Sequence, residues 1–67
     1  MDFLKAWEYM EFDKGNFTIW GEHVYRVDMG GNLRYWLDLV DEDEDMVWEY
    51  AYVSSNMVHS NEWKVWQ

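Results

Sequence analysis

Aromatic side chains are the main material from which this chain can build a core. Its 67 residues include six Trp, five Tyr and three Phe, with no Cys and no Pro. A domain of this size buries only about 60% of the surface that its unfolded chain exposes. Because disulfides and thiolate metal sites are excluded, packing of these rings must supply the stability, and a homodimer would add to it. We expect one domain spanning residues 1–67.

The stretch DFLKAWEYMEFD, residues 2–13, predicts an amphipathic helix of about three turns. Its apolar residues recur at helical spacing, at Phe3, Leu4, Trp7 and Met10. Asp2 is a candidate N-cap, and Gly15 is a stop signal. The chain is therefore expected to begin with a helix that has one apolar side.

The rest of the sequence predicts short strands, because β-branched and aromatic residues alternate with polar ones between turn signals. The predicted strands are 17–20, 23–29, 33–40, 46–53 and 62–66. Residues 54–61 predict a loop or a short helical turn. The expected fold class is α+β, with one N-terminal amphipathic helix packed on an antiparallel sheet of about four or five short strands.

Register decides which side chains share a face, because a shift by one residue inverts a strand. A three-residue turn, Gly30 to Asn32, places Val27 opposite Tyr35 and keeps the apolar residues together. A two-residue Gly-Gly turn would instead mix polar and apolar residues on both faces. We therefore predict the three-residue turn.

The next hairpin is predicted by the same reasoning. Pairing Leu39 with Met46 aligns the apolar residues of the two strands. A register one residue longer would place Glu49 opposite Leu37 inside the core, at a large desolvation cost. The preferred register puts Asp38 and Glu49 on the outer face.

Acidic residues dominate the charge of the chain. Fourteen Asp and Glu against five Lys and Arg give a net charge of −9, and residues 35–63 contain no Lys or Arg. Five acids are consecutive: Asp41, Glu42, Asp43, Glu44 and Asp45. Such a surface repels nucleic acid and attracts basic proteins, although solubility alone also favours acidic surfaces. We predict a partner-binding patch formed by this run with Asp38, Glu49 and Trp36.

Six tryptophans exceed what so small a core can enclose. We expect one or two of Trp20, Trp36 and Trp66 to be exposed and to anchor an interface.

Several other kinds of site lack their signatures. The acidic run resembles the start of an EF-hand loop, but Met46 and Tyr52 occupy the positions that need Gly and Glu. His23 and His59 are too far apart in sequence to indicate a metal site. No hydroxyl residue sits in a nucleophile elbow. We therefore predict a protein that is not an enzyme and uses neither metal nor cofactor.

The basic residues suggest a second hypothesis for the function of the protein. Arg26, Arg34 and Tyr25 could bind one small nucleotide, with its base stacked on an aromatic ring. The alternative function is then an oligomeric sponge that sequesters a nucleotide immune signal.

The order of these features resembles that of small phage-encoded proteins, including the sponge-type Thoeris anti-defence family. The matching stretches are FLKAWEYM, IWGEHVYRVD and NEWKVW, about half of the chain. The family carries a basic run before its bend. The corresponding stretch here is DKGNFTIW, in which Lys14 is the one basic residue. The resemblance implies a phage accessory protein rather than a particular binding site.

These observations together predict a phage-type inhibitor of the anti-CRISPR or anti-restriction kind. Its acidic patch would act as a DNA mimic and occupy a basic, nucleic-acid-binding surface of a host protein. We expect it to bind neither nucleic acid nor a membrane. Because no signal peptide or membrane span is evident, the expected location is the host bacterial cytoplasm.

Overall fold

A computed structural model describes residues 1–36 and 48–67, which form two helices and five strands. In chain order they are α1 (Phe3–Phe12), β1 (Phe17–Trp20), β2 (His23–Val27), β3 (Leu33–Trp36), β4 (Trp48–Tyr50), α2 (Ser55–His59) and β5 (Lys64–Trp66). Every strand pairing is antiparallel, and the sheet order is β4-β3-β2-β1-β5. The predicted α+β class, with an N-terminal helix on an antiparallel sheet, is confirmed.

The N-terminal helix begins as its sequence predicts. Asp2 is the N-cap, and its Oδ1 accepts a hydrogen bond from the backbone N–H of Lys5 at 2.9 Å. The helix buries Ala6 and Met10 against the sheet. Leu4, which was predicted on the apolar side, is 64% exposed, and Ala6 takes that place instead.

The turn between β2 and β3 has the predicted length but lies one residue earlier. Its loop residues are 29–31, and Gly31 supplies the left-handed conformation with φ of 84°. The observed register pairs Val27 with Leu33, so the predicted pairing of Val27 with Tyr35 is wrong by two residues. Asp28 explains the shift, because its Oδ1 accepts hydrogen bonds from the N–H groups of Gly30 and Asn32.

The register between β3 and β4 corrects a second expectation. Trp36 pairs with Trp48 and Tyr35 with Glu49, one residue away from the predicted alignment. This shift turns the whole of β4 over, so Glu49 does not share a face with Trp36. Glu49 lies exposed on the edge strand. Its carboxylate therefore remains hydrated and pays no desolvation cost.

The C-terminal part closes the other edge of the sheet. Strand β5 pairs with β1, with Val65 opposite Thr18. Helix α2 forms the short helical turn that was one of the two predictions for 54–61. Ser54 is its N-cap, and the Ser54 Oγ accepts a hydrogen bond from the N–H of Met57 at 3.3 Å.

Both helices contribute to a core on one face of the sheet, which we call the covered face. The buried residues of this core are Ala6, Met10, Tyr25, Val27, Leu33, Met57 and Trp63. Trp63 is fully buried, and its indole N–H donates to the Met57 carbonyl at 3.0 Å. We call the opposite side of the sheet the open face, because no helix in the described part of the chain packs on it.

Candidate functional site: the open face of the sheet

Alternation along the strands decides which residues reach the open face. Its described residues are Phe17, Ile19, Val24, Arg26, Arg34, Trp36, Trp48, Tyr50, Lys64 and Trp66. Most of them are half-buried or exposed. The face thus combines aromatic rings with basic side chains.

Four rings from four strands contact one another on the open face and form what we call the aromatic cluster. Its members are Phe17, Trp36, Trp48 and Trp66. The ring centroids of Trp36 and Trp48 are 6.1 Å apart and those of Phe17 and Trp48 are 5.4 Å apart. Trp66 completes the circuit at 6.0 Å from both Phe17 and Trp36. Contacts between rings on distant strands show that the side chains fold inward over the sheet.

Arg34 is held in place by three groups. Its Nε donates to the Asp28 carboxylate at 2.8 Å, and its Nη1 donates to the Trp48 carbonyl at 3.1 Å. Its guanidinium carbon lies 3.8 Å from the centroid of the Tyr50 ring, which is a cation–π distance. The charge of Arg34 is therefore compensated within the protein.

Asp28 is the carboxylate that compensates it. Hydrogen bonds from the Asn32 backbone and from Arg34 are the main causes that lower the pKa of Asp28 from 3.8 to about 2. The Gly30 N–H and the charge of Arg34 act in the same direction. Asp28 is therefore ionised at any ordinary pH, and it orders the turn and Arg34 together.

Arg26 is placed very differently. It pairs directly across the strands with Arg34, so two cations oppose each other at the centre of the sheet. Its guanidinium carbon lies 5.4 Å from the Trp48 ring centroid. Its Nε is buried, and no acceptor in residues 1–36 or 48–67 bonds to it. Arg34–Asp28 is the only ion pair among those residues, so Arg26 has no described carboxylate partner.

Positive charge is concentrated on the open face. Three of the five basic residues of the chain lie there: Arg26, Arg34 and Lys64. Asp28 compensates one of them. As far as residues 1–36 and 48–67 show, this face is therefore a locally basic surface in a chain of net charge −9.

The structure separates two of the residues predicted to bind a partner. Trp36 lies in the aromatic cluster on the open face, whereas Glu49 is exposed and directed to the covered side. Asp38 and the run of residues 41–45 lie outside the described residues, as does the predicted pairing of Leu39 with Met46.

The structure also separates the predicted ligand-binding residues. Arg26 and Arg34 lie together on the open face, but Tyr25 is buried on the covered face, in the core. Burial, and then the nearby Tyr35, raise the pKa of Tyr25. Tyr25 therefore does not contribute to the basic surface.

Sequence reasoning missed Phe17, Trp48 and Lys64 among the contributors to the open face, whereas Trp66 was one of the tryptophans expected to be exposed. Trp48 was predicted to face inward because the register was wrong by one residue. One signal was present, since Trp36 and Trp48 are the aromatic residues nearest to the two ends of the acidic stretch. A cross-strand pair of aromatic rings is a stabilising arrangement and would have favoured the observed register.

The covered face has a shallow cleft of about 250 Å³. It is lined by His23, Tyr25, Tyr35, Ala51 and Tyr52. The His23 and Tyr35 rings are 5.0 Å apart. Its volume is below the roughly 300–1,000 Å³ of ordinary small-molecule pockets. The open face is therefore the stronger candidate site.

Neither described helix is long and apolar enough to cross a membrane. Residues 1–36 and 48–67 also contain no group of three or more His, Asp and Glu side chains that could hold a metal ion.

No protein-family model matches the chain, and no curated protein or solved structure shows significant similarity to it. The functional argument therefore depends on the residues of the chain itself.

Proposed function

We propose that this protein is a binding protein that occupies a basic, nucleic-acid-binding surface of a partner protein. The observation that carries the proposal is the pairing of Trp36 with Trp48 on the open face. These two residues directly flank residues 37–47, which hold six of the fourteen acids in the chain. The acidic stretch is thus joined at both ends to the aromatic cluster.

Charge supports this proposal. Asp38 and residues 41–45 put six carboxylates into an eleven-residue stretch that contains no basic residue. A channel that binds DNA presents Lys and Arg at the spacing of phosphates, and such a surface attracts and steers an acidic protein. In this role the six carboxylates take the place of phosphates.

The aromatic cluster adds apolar contact surface to the charge of the acidic stretch. Trp36 is half-buried and Trp66 is 36% exposed, so both present apolar surface at a fixed position. Tryptophans of this kind are common anchors of protein interfaces. Glu49, on the covered side, is no longer part of the proposed interface.

The resemblance to phage anti-defence proteins indicates which partners to test first. CRISPR effector complexes and restriction enzymes both have basic DNA-binding channels. Action on either would take place in the host bacterial cytoplasm. The protein would act without catalysis, by competing with DNA for the channel.

A competition assay tests the proposal. Purified effector or restriction enzyme is bound to fluorescent duplex DNA, and the protein is added while anisotropy is recorded. We expect the wild type to displace the DNA, and the displacement to weaken as salt is raised. The variant Asp41→Lys/Asp43→Lys/Asp45→Lys should not displace it.

A second triple variant provides the matched control. Glu8→Lys/Glu11→Lys/Glu62→Lys makes the same change in net charge at exposed positions elsewhere. It should still displace DNA. Equal displacement by the two triple variants would show that net charge alone acts and would contradict a specific acidic site.

A further inference from the structure

We propose that the open face is also a binding site for one small anionic ligand with an aromatic ring, of the nucleoside phosphate class. Arg26 would hold the phosphate and the aromatic cluster would stack the base. This inference does not rest on the proposed function, because its charged residues are different and its partner has the opposite charge, although both proposals use the aromatic cluster.

The first argument is the state of Arg26. Its Nε is buried without an acceptor among the described residues, and Arg26 pairs directly across the strands with Arg34, a residue of the same charge. An unsatisfied buried donor and two opposed like charges each cost folding free energy. A bound anion compensates the two opposed charges, and it can accept from the Arg26 Nε once that side chain turns towards it. Phosphate suits this place because a guanidinium can donate two parallel hydrogen bonds to its oxygens.

The second argument is the aromatic surface beside Arg26. Trp48 lies against the guanidinium, and its ring contacts Trp36, which in turn contacts Trp66. Trp66 is 36% exposed, so part of its ring surface faces solvent. Flat aromatic surfaces of this kind stack nucleobases with little dependence on which base is present. A ligand that joins a ring to an anion therefore matches the face better than an inorganic anion does.

The third argument is the amount of charge. Asp28 compensates Arg34, which leaves Arg26 and Lys64 as the open-face cations without a carboxylate partner among the described residues. Two charges match one phosphate group. A polynucleotide would be repelled by a protein of net charge −9, so a single nucleotide is the favoured occupant.

The test is a titration with adenosine monophosphate, followed by tryptophan fluorescence and by NMR of the indole N–H groups. Adenosine and inorganic phosphate are the two comparison ligands. We expect the nucleotide to shift the signals of Trp48 and Trp66 but to leave that of the buried Trp63 unchanged. Each comparison ligand should bind more weakly than the nucleotide. Absence of nucleotide binding, or shifts confined to Trp63, would overturn the proposal.

Variants locate the phosphate. Arg26→Gln should weaken nucleotide binding about tenfold or more, the effect of losing a charged hydrogen-bonded pair. Lys64→Gln, at an exposed position that does not endanger folding, should weaken it by a smaller factor. Lys5→Gln removes the same charge from the exposed side of α1 and should leave binding unchanged. Equal losses in all three variants would contradict a site at Arg26.

Two further results separate this proposal from the proposed function. The triple variant Asp41→Lys/Asp43→Lys/Asp45→Lys should still bind adenosine monophosphate, whereas Arg26→Gln should still compete with DNA for its protein partner. Preference for an acidic peptide with one aromatic residue over the nucleotide would overturn the ligand class proposed here.

Discussion

The two faces of this sheet are both rich in aromatic residues, yet they differ in whether their buried polar groups are hydrogen-bonded. On the covered face, the buried hydroxyl of Thr18 donates to the Met10 sulfur at 3.2 Å, and the Trp63 indole N–H donates to a carbonyl. On the open face, the Nε of Arg26 is buried with no described acceptor. Among the described residues, the one buried side-chain polar atom without a hydrogen-bond partner therefore lies on the open face, and none lies on the covered face.

This difference indicates that similar aromatic side chains stabilise the fold on one face and are available for binding on the other. The covered face holds the tertiary structure together, because its rings interlock with residues from both helices. Among residues 1–36 and 48–67, the aromatic cluster packs only against its own sheet, and Trp66 remains partly in solvent. Substitutions on the two faces should therefore separate stability from binding.

The largest effect is expected on the covered face, for Trp63→Ala. Trp63 contacts the rings of Phe3, Trp20 and Tyr25 and is fully buried. Its removal should lower the free energy of unfolding by about 3–5 kcal/mol, which in a domain of this size is close to complete unfolding. Urea denaturation followed by circular dichroism measures the loss.

Trp66→Ala is the matched change on the open face. It removes ring contacts with Phe17 and Trp36 at a partly exposed position, so we expect a loss of about 1 kcal/mol. A loss as large as that of Trp63→Ala would show that the open face is a second core and would remove the distinction between the faces.

The next effect concerns the turn between β2 and β3. Gly31→Ala forces an L-residue to a φ of 84° and should cost about 1–2 kcal/mol, although the added methyl group meets no atom within 4 Å. Gly15→Ala is the control, because that backbone is not left-handed and the new contact with Asp13 is an ordinary 3.5 Å. It should change stability by no more than about 0.5 kcal/mol in a thermal unfolding comparison.

A smaller effect is expected from the one ion pair described on the open face. The folded protein holds the pKa of Asp28 at about 2, below its ordinary value of 3.8, so folding favours the ionised carboxylate. The stability that Asp28 contributes is complete above about pH 4 and is lost as the pH falls towards 2. In Asp28→Asn, the decline between these pH values should be shallower than in the wild type. Parallel stability curves for the two proteins would contradict the assigned hydrogen bonds.

Local features of the fold could be predicted from sequence because they depend on neighbouring residues. The cap at Asp2 and the strand assignments follow from short-range chemistry. The register of β2 and β3 could not be predicted in this way. A shift by two residues keeps every side chain on its face, so the alternation of polar and apolar residues cannot detect it. The turn hydrogen bonds of Asp28 decide that register.

The composition of the open face was harder to predict for a different reason. The expected alignment of β3 with β4 assumed that both strands bury their apolar residues on one face, in the core. Helix α1 contacts β1 and β2, and β4 is an edge strand two places further along the sheet. Trp48 could therefore turn to the open face, where it joins Trp36. The order of strands, which brings β5 beside β1, leaves no signal in a single sequence.

The central claim is that Arg26 is suited to binding rather than to folding, and Arg26→Met tests it most directly. Met has a similar length, keeps favourable contact with Trp48, and removes both the unsatisfied Nε and the charge opposite Arg34. We predict that urea denaturation will show this variant to be more stable than the wild type, by about 1 kcal/mol. A loss of stability of that size or larger would show that Arg26 supports the fold and would contradict the account.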